Sequence, residues 1–136
     1  MRPAPNVLLA IGLLLWVVLL FAAPGVLFPL GHFICHQRPE RSFFVAGQQL
    51  PVCARCTGLY LGAALAIPLP LVTATTLSSR QNRRILVVAA LPTLITWTLE
   101  FTGLVPFSNV VRFVAALPLG FAAAWMVFAA IGEGRR

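Results

Sequence analysis

Charge is what this chain has least of. Only 10% of its 136 residues are charged: three are glutamates, and all ten basic residues are arginine. A soluble domain carries about 25% charge, so this composition excludes a protein that covers itself with a water-facing surface. An internal repeat, a low-complexity tract and any stretch fit for a second, soluble domain are also missing. No C-x-x-C-H occurs, which excludes covalent haem, and beyond a single C-x-x-C there is one cysteine rather than a second pair. The net charge of +7 raises nucleic acid as a partner. However, the arginines cluster beside apolar segments, where positive charge sets topology or meets lipid headgroups, so no nucleic-acid partner is expected.

What is abundant is apolar: 60% of residues are hydrophobic and the mean hydropathy is +0.93. Four apolar runs predict an all-α polytopic membrane protein, a bundle of four transmembrane helices forming one domain over residues 1–136. The spans run about 7–28, 57–77, 85–101 and 110–131, with a motif-bearing loop over 29–56. At 1.5 Å per residue, about 20 residues cover the roughly 30 Å hydrocarbon core. Pro68, Pro70, Pro92 and Pro118 fall inside spans and are expected to bend them. The first run exceeds the roughly 7 to 15 residues of a signal-peptide core, and "FAAPG" is a poor cleavage site, so it reads as a span.

With four spans, Arg2, Arg80, Arg83, Arg84, Arg135 and Arg136 share one face, the last two in a "GEGRR" tail that reads as a cytoplasmic stop. The other face holds Arg38, Arg41 and Arg55 in the loop, with Arg112 just inside the fourth span. The positive-inside rule then places both termini in the cytoplasm and the loop outside, where unligated thiols tend to form disulfides.

That loop, "GHFICHQRPERSFFVAGQQLPVCARCTGLYLG" with the start of the next span, holds every cysteine and both histidines. His32, Cys35 and His36 stand at i, i+3 and i+4, one face of a helix if the first span continues. Cys53 and Cys56 are one turn apart. H-x-x-C followed by C-x-x-C across such a loop is a zinc-type arrangement, and thiolate with imidazole also suits copper(I) or iron. The expected ligands are Cys35, Cys53, Cys56 and one histidine, His36 or His32. A redox reading competes. Cys53 and Cys56 begin a helix with Arg55 between them, and dipole and cation both favour thiolate. Four spans with an outer C-x-x-C resemble quinone-coupled disulfide-forming membrane enzymes, although those usually relay electrons through a second cysteine pair.

"CHQRPERSFF" followed by "LPVCARCTGLYLG" resembles the signature of a family of small, uncharacterised prokaryotic integral membrane proteins, a domain of unknown function. Its blocks are C-H-Q-x-P-x-R-S-F and P-x-C-x-R-C-x-G-x-Y-x-G. The resemblance covers Cys35 to Gly62 and implies a multi-pass protein of the prokaryotic cell (inner) membrane. Cys35, His36, Gln37, Arg41, Ser42, Cys53, Arg55, Cys56 and Gly58 occupy motif positions, and His32 lies outside, which favours His36 as the fourth ligand. Adjacent Cys35 and His36 reach one ion together only if the backbone there is not a regular helix. The family brings no established reaction.

Other polar residues extend the candidate site. Arg38, Arg41, Arg55 and Arg112 are candidate anion-binding groups, forked donors for phosphate or carboxylate. "RPER" also reads as a solvated turn, and Ser42 as a cap. Glu100 and Arg112 lie near the same end of the third and fourth spans, joined by the short "TGLVPFSN", and an ion pair is expected. They are the catalytic candidates, with Glu100 as proton acceptor, Arg112 holding an anion and Asn109 adding a donor. Gly58, Gly62 and Ala66 give small-residue spacing for close helix approach, within the chain or with a second copy.

The expected function is therefore a zinc-binding membrane protein, structural or catalytic towards an anionic or lipid-linked substrate. The alternatives are a thiol–disulfide oxidoreductase using Cys53 and Cys56 with quinone, and a non-enzymatic accessory subunit of a membrane complex.

Overall fold

The computed structural model describes residues 5–68 and 78–133. The chain opens with helix α1, Pro5–Ala22, and helix α2, Pro24–Gly31. Ala23 between them leaves helical geometry at φ −142°, and Pro24 fits the first turn of the next helix, where its missing N–H is no loss. The expected first span, 7–28, is thus two helices with a break. A short 3-10 turn, Pro39–Arg41, leads into strands β1, Ser42–Val45, and β2, Gln48–Cys53. Helix α3, Ala54–Leu65, follows directly. Helices α4, Ser79–Phe101, and α5, Asn109–Glu133, complete the chain.

Among the described residues, three helices are long and apolar enough to cross a membrane: Pro5–Ala22, Ser79–Phe101 and Asn109–Ile131. The expected second span, 57–77, coincides with α3 over 57–65; Pro70 and the rest of 69–77 lie outside the described residues, as do Arg2, Arg135 and Arg136. Ser78 starts α4 with a capping box, its hydroxyl accepting from the Gln81 N–H while Gln81 Oε1 accepts from the Ser78 N–H. Pro92 and Pro118 lie within α4 and α5. Between those helices the Thr93 hydroxyl donates to Ala115 O at 2.8 Å, the kind of bond that joins membrane helices.

The expected loop is a built structure. β1 and β2 form an antiparallel hairpin closed by Ala46 and Gly47, both at positive φ (49° and 79°), with Val45 opposite Gln48. A two-residue turn with both φ positive matches the twist of the strands it joins. Pro51 in β2 is tolerated because a two-stranded ribbon leaves one side of each strand unpaired. The hairpin is packed against α2, and α3 lies along α5. That second contact is close because of glycine: a Cβ at Gly58 would lie 2.3 Å from Phe113 O, and one at Gly62 would lie 2.2 Å from Leu117 O. The small residues of α3 therefore serve packing within the chain.

A cluster of Leu20, Leu27, Cys35 and Val52 forms the core beneath the hairpin, with Trp16, Leu19, Cys53, Cys56 and Tyr60 packed around it. Sulfur sits inside the apolar core.

Candidate metal centre and anion pocket

The three cysteines arrive from two directions. Cys35 follows the turn that ends α2, where its N–H donates to Gly31 O at 2.9 Å. Cys53 ends β2 and stands as the N-cap of α3, and Cys56 lies in the first turn of that helix. Folding the hairpin back onto α2 brings these segments together, so the three Sγ atoms all lie within 4.8 Å of one another. Cys53 and Cys56 are 3.5 Å apart, and the Cys53 N–H donates to Cys35 Sγ at 3.2 Å. Cys35 is buried and its two partners are half-buried.

The environment divides the pair. A hydrogen bond with the Cys56 thiol is the largest influence on Cys53 and, with backbone N–H groups of Cys56 and Arg55, holds it down to about 5 against the opposing effect of burial. Cys56 is pushed up, first by retaining the shared proton and then by burial.

Gln37 keeps this geometry. Its backbone occupies the left-handed region at φ 48°, and its side-chain amide donates to Phe28 O at 2.6 Å and Pro51 O at 3.0 Å. It clamps the end of α2 to β2. Gln49 reciprocates by donating to Gln37 O at 2.7 Å. Ser42, buried, donates to Arg38 O at 2.9 Å; it starts β1 and caps no α-helix.

Neither histidine joins the sulfur group. α2 ends at Gly31, so the helical face that would align His32, Cys35 and His36 does not form. His32 is exposed, its ring edge-on to Phe33. His36 is exposed on the wall of a cavity that Cys35 and Cys53 also line.

That cavity, about 440 Å³, gathers Arg38, Arg41, Arg55 and Arg112, all four arginines of the expected anion site, with Trp97 and Phe101 of α4 on another wall. Glu100 is paired with Arg112, whose Nε donates to Oε1 at 2.7 Å, and its other oxygen is held by Arg55. Sequence reasoning pairs Glu100 with Arg112 but misses Arg55 as the second partner. All three side chains are largely buried, with the carboxylate 8% exposed. Arg112 also donates to Asn109 Oδ1 and, at 3.4 Å, to Glu40 O, while the Asn109 amide donates to Ser42 O at 3.0 Å. The start of α5 is thereby tied to the hairpin. Arg55 Nε is buried without a partner. Arg38 reaches Glu40 only at 4.0 Å, with both exposed.

Residues 35–126 match a family described as "Predicted membrane protein (DUF2085)". The matched stretch holds all three cysteines, His36 and the Arg55–Glu100–Arg112 cluster, and it excludes α1 and α2. An uncharacterized protein of Methanothermobacter thermautotrophicus is 38% identical over 94 residues, 65% of this chain and 78% of that one. An uncharacterized protein of Methanocaldococcus jannaschii is 35% identical over 89 residues, 65% of this chain and 57% of that one. No solved structure matches.

Proposed function

The chain belongs to this family of membrane proteins, and from that premise we propose that it is a metal-binding integral membrane protein. In this reading Cys35, Cys53 and Cys56 hold a zinc ion at the non-cytoplasmic face, beside a pocket for an anionic ligand. The observation that carries it is the convergence of three sulfurs from both ends of a 22-residue segment, with a backbone N–H already donated to one of them. Zn–S bonds of about 2.3 Å in tetrahedral geometry put sulfurs about 3.8 Å apart. One pair at 3.5 Å and an outer limit of 4.8 Å straddle that spacing.

Charge supports the same reading. Three thiolates and a divalent zinc sum to −1, while Arg55, Arg112 and Glu100 together carry +1 close by. With three protein ligands, bound zinc keeps one position for water or an anion and supplies Lewis acidity there. His36, the expected fourth ligand, stands on the cavity wall apart from the three sulfurs, so in this reading the fourth position would be left to water or an anion. Glu100 takes a structural part rather than that of proton acceptor, because both its oxygens are occupied by guanidiniums. The orientation rests on Arg80, Arg83 and Arg84 at the far end of α4 from Glu100.

Elemental analysis of the purified protein tests the reading. We expect about one zinc per chain, lost in Cys53→Ser and retained in His36→Ala. Metal-free protein whose Cys53 and Cys56 form a disulfide opened by reductant would instead establish the redox reading, which the low-titrating Cys53 beside Cys56 favours. Zinc lost in His36→Ala would indicate a closed, four-ligand, purely structural site.

A further inference from the structure

Building on the anion pocket assigned above, we propose that the cavity takes the phosphate-bearing headgroup of a membrane amphiphile, the phosphate held by arginines and the apolar chain leaving past Trp97 and Phe101.

Charge comes first. Arg38, Arg41, Arg55 and Arg112 line the cavity, and two carboxylates answer them: Glu100, shared by Arg55 and Arg112, and Glu40, loosely beside Arg38. Two positive charges are left over on the arginines, and one remains after the −1 of the neighbouring zinc–thiolate group is counted, so the cavity favours an anion. Guanidinium forks fit phosphate oxygens two at a time.

The donors are not equivalent. Arg112 is committed to Glu100, Asn109 and the Glu40 carbonyl, so it positions the others. Arg55 lines the cavity with one guanidinium nitrogen on Glu100, so it adds charge to the site while its Nε stays buried. Arg38 and Arg41 present exposed heads, and among the described residues Arg41 makes no ion pair.

The membrane as source follows from depth. Phe101 lies about 26 Å along α4 from Arg84, counting 1.5 Å per residue, against a hydrocarbon core of roughly 30 Å. The cavity's aromatic wall is therefore at headgroup level, where such rings concentrate. Trp97 and Phe101 are stacked with centroids 5.2 Å apart and are 50% and 77% exposed, so this wall continues onto the apolar outer surface of α4. A volume of about 440 Å³ falls among pockets that take organic ligands, which bare phosphate would leave mostly unfilled.

The experiment titrates the purified, delipidated protein in non-ionic detergent with phosphatidic acid, phosphatidylcholine and inorganic phosphate, reading stoichiometry by native mass spectrometry. One phosphatidic acid per chain is expected to bind, more tightly than phosphatidylcholine. Arg38→Ala and Arg41→Ala, both at exposed positions, should each weaken it roughly tenfold or more, the size of a lost charge-assisted hydrogen bond. Trp97→Ala should weaken phosphatidic acid and leave inorganic phosphate unchanged. Inorganic phosphate binding as tightly as phosphatidic acid, with no effect of Trp97→Ala, overturns the membrane source. No saturable binding, or binding unmoved by both arginine changes, overturns the proposal. Zinc content is measured on the same samples: one zinc per chain without lipid binding defeats this inference alone, and absent zinc defeats the metal centre alone.

Discussion

Glu100→Gln removes the carboxylate that Arg55 and Arg112 share and leaves two guanidiniums facing each other in a largely buried layer. Breaking a buried ion pair by deleting one partner costs about 3 to 5 kcal/mol, because the surviving charge stays desolvated. Glutamine keeps one carbonyl acceptor, and the arginines are 12% and 15% exposed, so the lower end, about 3 kcal/mol, is expected. For a chain of this size 1 kcal/mol shifts the melting midpoint by about 4 °C, giving a drop of roughly 12 °C. The assay is thermal unfolding in detergent, followed by tryptophan fluorescence. A double substitution, Glu100→Gln with Arg112→Leu, should recover part of the loss by removing one of the two stranded charges. A midpoint for Glu100→Gln within about 4 °C of the parent would refute the claim that this carboxylate joins α3, α4 and α5.

Packing makes a second prediction: Gly62→Ala drives a Cβ to 2.2 Å from the Leu117 carbonyl and should broaden or split the monodisperse peak in size-exclusion chromatography. Gly12→Ala, with nothing within 4 Å, should leave that peak unchanged and raise the melting midpoint slightly, since alanine favours helix by up to about 1 kcal/mol. The hairpin turn makes a third. Ala46→Gly relieves a side chain held at φ 49° and should stabilise by about 1 kcal/mol, seen as a midpoint raised by a few degrees. Metal removal makes a fourth: chelation of native protein should raise the number of cysteines alkylated by a small maleimide from none towards all three, and zinc readdition should reverse it.

Much of the site is legible in the sequence because it is built from rare residues. Cys35, Cys53 and Cys56 stand out against an apolar background, and helix direction alone places Glu100 beside Arg112. Arg55 escapes for a definite reason. Between two cysteines it reads as a cation that lowers thiol pKa, and only the rotation of α3 about its axis reveals that it reaches Glu100. The hairpin is missed because its signals conflict: Ala46 is a poor residue for positive φ, and Pro51 argues against a strand, though Gly47 between "SFFV" and "QQLPVC" is the cue. The histidine alignment rests on a helix continuing past Gly31, whereas α2 ends there and the chain reverses at Gln37, at φ 48°, while close contact with Pro51 and Gln37 leaves room only for glycine at Gly31.

The ties from Asn109 and Arg112 back to Ser42 and Glu40 impose an order on biogenesis. The cysteine segment leaves the ribosome 56 residues before Arg112 does. At about 5 to 20 residues per second, that leaves roughly 3 to 11 s during which thiols and hairpin exist without the helix that braces them. In that interval the three sulfurs belong to a half-assembled cradle, and a nascent chain stalled short of Asn109 would leave them without the ties that close it.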